Sequence, residues 1–206
     1  MDFGQRHRRL GRVDIDPLLE KVRTADPALW DADEHIRRQL TTNRPTRAIF
    51  LYHSDPRAQP APGLTQSDVR RCRGWDWFSP AVQPIIDEIL THYPPGAIVM
   101  MCQIANLKPG GRIALHFDAA PLLRASHRIH VPLITWPEVA FYIDHVPHHF
   151  EAGVAFELNN QRLHEVHHAG TMDRLHLILD LLPADFDRRS DRWVSATSPA
   201  TSGSTS

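Results

Sequence analysis

From about residue 97 onward, the apolar residues recur at every second position instead of at helical spacing. Segments 98–105 (IVMMCQIA), 112–116, 127–134, 139–144, 153–158, 163–167 and 174–182 (RLHLILDLL) each read as a strand. Turns rich in Pro, Gly, Asn and Asp separate them, among them KPGG (108–111) and ELNNQ (157–161). Short strands at such intervals bury their apolar faces by packing sheet against sheet, which predicts a sandwich or barrel. The 17 prolines, mostly placed where extended segments turn, fit the same architecture.

The chain ahead of this region is mixed. Residues 14–24 (DIDPLLEKVRT) carry apolar positions at helical spacing, and Pro17 fits a first helical turn. Residues 30–40 read as a second helical piece and 47–53 (RAIFLYH) as a strand. Residues 79–93 (SPAVQPIIDEILTHY) predict a helix with Ser79 as N-cap and Pro80 at its first position. Its apolar set is Val82, Ile85, Ile86, Ile89 and Leu90. The expected organisation is one domain over 1–190, with a mixed α/β part at 1–96 and the β core at 97–183. The Ser/Thr-rich stretch 191–206 reads as a disordered tail.

Charge and composition exclude several classes. A formal net charge of −1 offers no basic face for nucleic acid. No stretch reaches the roughly 18–20 apolar residues needed to span a bilayer. The N-terminal MDFGQRHRRLGRVDID has basic residues but no apolar run behind them, so it does not read as a signal peptide. Two cysteines, Cys72 and Cys102, are too few for a disulfide framework. The expectation is a cytoplasmic protein without nucleic-acid or membrane partners; its oligomeric state is left open.

Chemistry concentrates late in the chain, where most of the 14 histidines fall. His116 and Asp118 form an H-x-D pair, and His164 follows downstream. On a strand, positions i and i+2 point to the same side. His116 and Asp118 are therefore expected to project together, with Phe117 turned the other way into packing. Two imidazoles and one carboxylate form the facial triad of non-haem Fe(II) oxygenases, which leaves metal positions open for cosubstrate and O₂. On 174–182, Arg174 and His176 share one face and the leucines the other. In SHRIHVPL (126–133), Arg128 and His130 repeat that arrangement. Interior cations are costly unless paired, so inward-facing arginines call for an anionic guest. A dicarboxylate such as 2-oxoglutarate fits, because the guanidinium fork matches a carboxylate.

These motifs resemble the aspartyl/asparaginyl β-hydroxylase family, which also includes free-proline hydroxylases. The resemblance rests on NLKPGGRIALHFD (106–118), SHRIHVPL (126–133), GVAFELNN (153–160) and HEVHHAGTMDRLHLILD (164–180), within 104–182. It implies a double-stranded β-helix, a jelly-roll relative also seen in cupins, with the N-terminal helices flanking it. It implies that His116, Asp118 and His164 bind Fe(II), making them the catalytic set. It also implies that Arg174 pairs with the distal carboxylate of 2-oxoglutarate, assisted by Arg128 and His130. The activity implied is that of a 2-oxoglutarate-dependent dioxygenase using O₂ to hydroxylate an unactivated C–H of an amino acid, whether free, peptidyl or carrier-bound. Asp118 completes the triad and leaves no vacancy for a halide, which favours hydroxylation over halogenation.

Other residues have competing readings. Candidates for substrate selection are Arg47, Tyr52, His53, Trp75, Trp77 and the stretch 145–150 (HVPHHF). The two tryptophans also suit packing, and the histidines of 145–149 also suit a solvated loop. His167 and His168 have no assigned role. The rival functional reading is a cupin-like metal-binding module or metal enzyme that does not use 2-oxoglutarate.

Overall fold

The computed structural model describes residues 1–40, 46–61, 63–184, 186–187 and 192–193. The elements, in chain order, are β1 (His7–Arg12), α1 (Asp16–Thr24), α2 (Glu34–Leu40), β2 (Thr46–His53), β3 (Arg70–Arg71) and α3 (Gly74–Leu90). They continue with β4 (Ile98–Leu107), β5 (Arg112–His116), α4 (Pro121–Ala125), β6 (His127–Ile134), β7 (Val139–Ile143) and β8 (Val146–His148). Then come β9 (Val154–Leu158), β10 (His164–His168) and β11 (Arg174–Leu182). One sheet runs β1-β9-β6-β11-β4-β2-β3, and the other runs β5-β10-β7-β8. From β4 to β11, successive strands cross from sheet to sheet except at the β7–β8 hairpin, and every pairing is antiparallel. That path is a double-stranded β-helix, as the family resemblance implies; the period-two pattern alone predicts a sandwich or barrel.

The large sheet is covered on both faces. Its outer face presents Ile129, Val131, Leu133, Leu177, Leu179 and Leu181, all at 2% exposure or less, to the helices. Burial of each such side chain stabilises the fold by about 1.5–3 kcal/mol. Helix α3 supplies the matching stripe of Trp75, Phe78, Val82, Ile85, Ile86 and Ile89. The inner face looks toward the small sheet and forms one wall of the cavity described below.

Helix α3 begins at Gly74 and not at Ser79, so Pro80 and Pro84 lie inside it. The cause is a close approach to β2. A Cβ on Gly74 would stand 2.6 Å from Ile49 Cγ2 and 2.7 Å from Phe50 O, so glycine is what lets this turn dock and bury Trp75 and Phe78. Strands β1, β3 and β8 were not predicted. Strand β8 closes a hairpin through Asp144 and His145, both with positive φ (50° and 64°), as a type I′ turn requires. Strand β1 forms the sheet edge beside β9 and is held by chemistry more than by apolar pattern. Buried Glu157 accepts hydrogen bonds from Arg8 Nε (2.6 Å) and Tyr93 Oη (2.9 Å) and contacts His127 Nδ1 at 2.6 Å.

No helix among the described residues is long and apolar enough to cross a membrane. Of the stretch expected to be a disordered tail, only Arg192–Trp193 is described, paired with Phe186–Asp187; the rest of that expectation lies outside the described residues.

Candidate active site

A cavity of about 370 Å³ opens between the two sheets, within the usual size range of small-ligand sites. His116, Asp118, His164, Arg128, His130 and Arg174 all line it. His116 ends β5 and sits directly across from His164 on β10, with ring centroids 4.2 Å apart. Asp118 lies two residues beyond the strand, and its Oδ1 is 3.9 Å from His116 Nε2. One potential ligand atom from each of the three lies within 4.8 Å of the others.

The surroundings prepare these atoms to hold a metal. His116 Nδ1 donates to Ala114 O at 2.8 Å, and His164 Nδ1 donates to Arg162 O at 2.8 Å. Each bond fixes the tautomer that leaves Nε2 with its lone pair toward the site. Burial drives the His164 pKa down to about 4, partly opposed by Asp118, so its imidazole is neutral at physiological pH. The segment carrying Asp118 is tied to the turn after β9: Asp118 N–H donates to Asn160 O (2.9 Å), and Gln161 Nε2 donates to Asp118 O (3.0 Å). Sequence reasoning read this turn only as a strand separator. A two-imidazole, one-carboxylate set with open positions fits a divalent iron ion.

Phe117 does not turn into packing. It is 53% exposed and lines the cavity mouth, because β5 has ended at His116 and strand alternation no longer governs the next residues.

Arg128 requires a correction. Its guanidinium is engaged by carboxylates of the protein, donating to Asp180 through Nε (2.8 Å) and Nη2 (3.0 Å) and to Asp118 Oδ2 through Nη1 (2.7 Å). The expected help to a diacid's distal carboxylate does not match this geometry. Asp180 stands opposite Arg128 in the β6–β11 register, so the pair forms as the strands align. The bond from Arg128 occupies one oxygen of Asp118 and leaves Oδ1 on the His116 side, which suits a single-oxygen ligand.

Arg174 is different. It is 1% exposed, and among the described residues no carboxylate pairs with it. Its Nη2 donates to His176 Nδ1 (2.7 Å), Cζ lies 5.0 Å from the Phe141 ring centroid, and Nε is buried without a partner. Burial lowers its pKa well below the ordinary arginine value, to about 9. His176 and His130 are held neutral by burial and then by the Arg174 charge. His130 stacks on Phe156, and its Nδ1 lies 3.3 Å from His176 Nδ1. A buried guanidinium without a carboxylate partner, facing a cavity, is suited to an anionic guest.

The remaining sequence candidates fall elsewhere. Arg47 pairs with Asp31 at 2.7 Å, Tyr52 and Trp75 pack on each other in the core, and Trp77 donates to Lys21 O. None of these, nor His53 or any residue of 145–150, lines the cavity. Instead β2 offers Thr46, Ala48 and Phe50 to it, and β4 offers Met101, Gln103 and Ala105. Alternation along β2 identifies the first three, but a register shift between Phe50 and Tyr52 breaks the parity that would have placed Tyr52 with them. His167 contacts Glu165 at 2.8 Å, while His168 bridges Met172 O and Gly170 N in the turn leading to β11.

A family model described as aspartyl/asparaginyl β-hydroxylase matches residues 79–183, a segment that contains every residue of the triad and Arg174. Among solved structures, the chain is similar to an oxidoreductase of the 2OG-Fe(II) oxygenase family from Burkholderia pseudomallei, at 12% identity over 73% of this chain and 77% of that one (TM-score 0.48). It is similar to a Pseudomonas putida prolyl-4-hydroxylase at 18% identity, covering 87% and 94% (TM-score 0.46). A third is the viral collagen prolyl hydroxylase of Paramecium Bursaria Chlorella virus-1, in a 2OG complex, at 13% identity, covering 87% and 97% (TM-score 0.44). No match was found among curated proteins.

Proposed function

We propose that this chain, which belongs to the aspartyl/asparaginyl β-hydroxylase family, is an Fe(II)- and 2-oxoglutarate-dependent dioxygenase that hydroxylates a C–H of an amino-acid substrate, free, peptidyl or carrier-bound. The observation that carries the reading is the presence, in one cavity, of a two-histidine, one-aspartate cluster and a buried arginine with no carboxylate partner among the described residues. His116, Asp118 and His164 would hold the iron, which supplies the redox chemistry by which 2-oxoglutarate and O₂ are consumed.

The chain's own groups bind, orient and exclude water. Arg174 takes the distal carboxylate of 2-oxoglutarate, and its charge gains the partner that the protein itself does not supply. Hydrogen bonds to Ala114 O and Arg162 O hold the two imidazoles in register. Arg128, fixed by Asp180, holds Asp118. Phe141, Ile113 and Val166 line the cavity with apolar surface that limits water. No protein nucleophile or general acid is needed.

A metal-binding module without 2-oxoglutarate has no use for an unpaired Arg174 in the same cavity. The test is succinate formation from added iron and 2-oxoglutarate. It is expected to depend on both and to disappear in His116→Ala and Asp118→Ala; full turnover in both variants would remove the site assignment.

A further inference from the structure

Gln103 stands out on the cavity floor. Strand β4 has ten residues, nine of them buried, and Gln103 alone is partly accessible. The surface it exposes is cavity wall. Its strand neighbours there are Phe50 on one side and Ile178 on the other, with Met101 and Ala105 two residues away along its own strand. Among the described residues, nothing hydrogen-bonds its carboxamide. An amide that can donate two hydrogen bonds and accept two therefore faces an otherwise apolar patch of the wall.

Such a group penalises a guest that covers it without pairing. Filling the cavity with hydrocarbon would strip water from the carboxamide and leave it unsatisfied, whereas a polar partner would not. The charges around it indicate which partner. Three arginines line the cavity, but Arg57 pairs with Asp55 and Arg128 with Asp180 and Asp118, so among the described residues Arg174 is the lining arginine without a carboxylate partner. The one acid of the lining, Asp118, is engaged by Arg128, so an ammonium brought into this space is offered little, while a carbonyl or carboxylate oxygen meets the N–H donors of Gln103.

We infer that Gln103 is the specificity-determining residue of the site: its Nε2 donates to a carbonyl-type oxygen, of a carboxylate or an amide, carried close to the carbon that is hydroxylated. The inference rests on the oxygenase reading and deepens it. Arg174 serves the cosubstrate and Gln103 the substrate, so the two lesions separate: one weakens 2-oxoglutarate, the other the hydroxylated compound.

The experiment uses the full chain with three probe sets: free L-amino acids, their N-acetyl carboxamides, and the corresponding decarboxylated amines. Succinate formation above the rate without substrate is the readout, alongside calorimetric affinities for Mn²⁺ and 2-oxoglutarate. Wild type is expected to respond to acids or to amides but not to the amines, and whichever set responds identifies the oxygen as carboxylate or amide. Gln103→Leu should raise KM for responding compounds roughly tenfold or more, the loss of one neutral hydrogen bond and its desolvated partner, with both affinities within about twofold. Gln103→Glu keeps the shape and repels anions, so it should penalise acids more than amides. A response to the amines equal to that of the acids, no response to any acid or amide, or an unchanged KM in Gln103→Leu overturns the inference. So does a parallel loss of 2-oxoglutarate affinity in Gln103→Leu and Gln103→Glu, which would make Gln103 a cosubstrate contact. A wild type that binds neither Mn²⁺ nor 2-oxoglutarate overturns the proposed function together with this inference; normal binding with an unchanged KM overturns this inference alone.

Discussion

Replacing Arg174 by methionine should move two observables in opposite directions. The guanidinium is 1% exposed, has no carboxylate partner among the described residues, and has its pKa lowered to about 9 by burial. Keeping an unpaired ion buried in the empty site costs on the order of several kcal/mol. Methionine of similar length removes that penalty, much as apolar replacement of buried charges is neutral or stabilising by about 1–4 kcal/mol. Thermal stability of the ligand-free protein should therefore rise, at roughly 2–4 °C per kcal/mol for a chain of this size. Affinity for 2-oxoglutarate should fall by about 2–4 kcal/mol, or roughly thirty- to a thousandfold, because its distal carboxylate enters the cavity unpaired. Thermal melting with Mn²⁺, across a 2-oxoglutarate series, reads both quantities, since ligand stabilisation follows RT ln(1 + [L]/Kd). A variant that melts lower without ligand, or whose 2-oxoglutarate affinity stays within about threefold of wild type, would refute the reasoning.

Other outcomes follow from the same geometry. Arg128→Lys cannot span Asp180 and Asp118 together, so Mn²⁺ affinity measured by calorimetry should drop about 10- to 100-fold while the fold persists. For Glu157, burial pushes the carboxyl up, but His127, Arg8 and Tyr93 outweigh it and hold the pKa below its ordinary value. A depressed folded pKa stabilises above the unfolded value of about 4.3 and loses that contribution as pH falls further. Melting temperature should thus be level from pH 7 to about 5 and fall below about 4.3, and Glu157→Gln should flatten that fall while costing about 3 kcal/mol at neutral pH. Gly74→Ala forces a methyl against Ile49 and the Phe50 carbonyl and should destabilise by about 1–3 kcal/mol in urea titrations.

How much was legible in the sequence depended on the range of the interaction involved. Apart from β8, the strands from 98 to 182 were legible because their period is local, and the pairing of His116 with His164 follows once β5 and β10 align. The inward placement of Arg174 was legible because strand alternation sets it opposite the leucines of 174–182. The role of Arg128 was not, since its partner Asp180 lies 52 residues away and meets it only through strand register. Ser79–Pro80 imitates a helix start, and only the tertiary approach at Gly74 shows that the helix begins earlier. The β7–β8 hairpin turns on Asp144–His145, which lacks the glycine that normally announces a type I′ turn. The residues the sequence offered for substrate selection lie away from the cavity, whose β2 wall is set by alternation through Thr46, Ala48 and Phe50.

Calorimetric titration of 2-oxoglutarate into the protein, with and without Mn²⁺, in wild type and His164→Ala, probes this arrangement most directly. The expectation is one metal per chain, 2-oxoglutarate binding that strengthens sharply when Mn²⁺ is present, and loss of that coupling in the variant. Equal 2-oxoglutarate affinity with and without metal, or coupling that survives in His164→Ala, would contradict a site in which metal and diacid are held together.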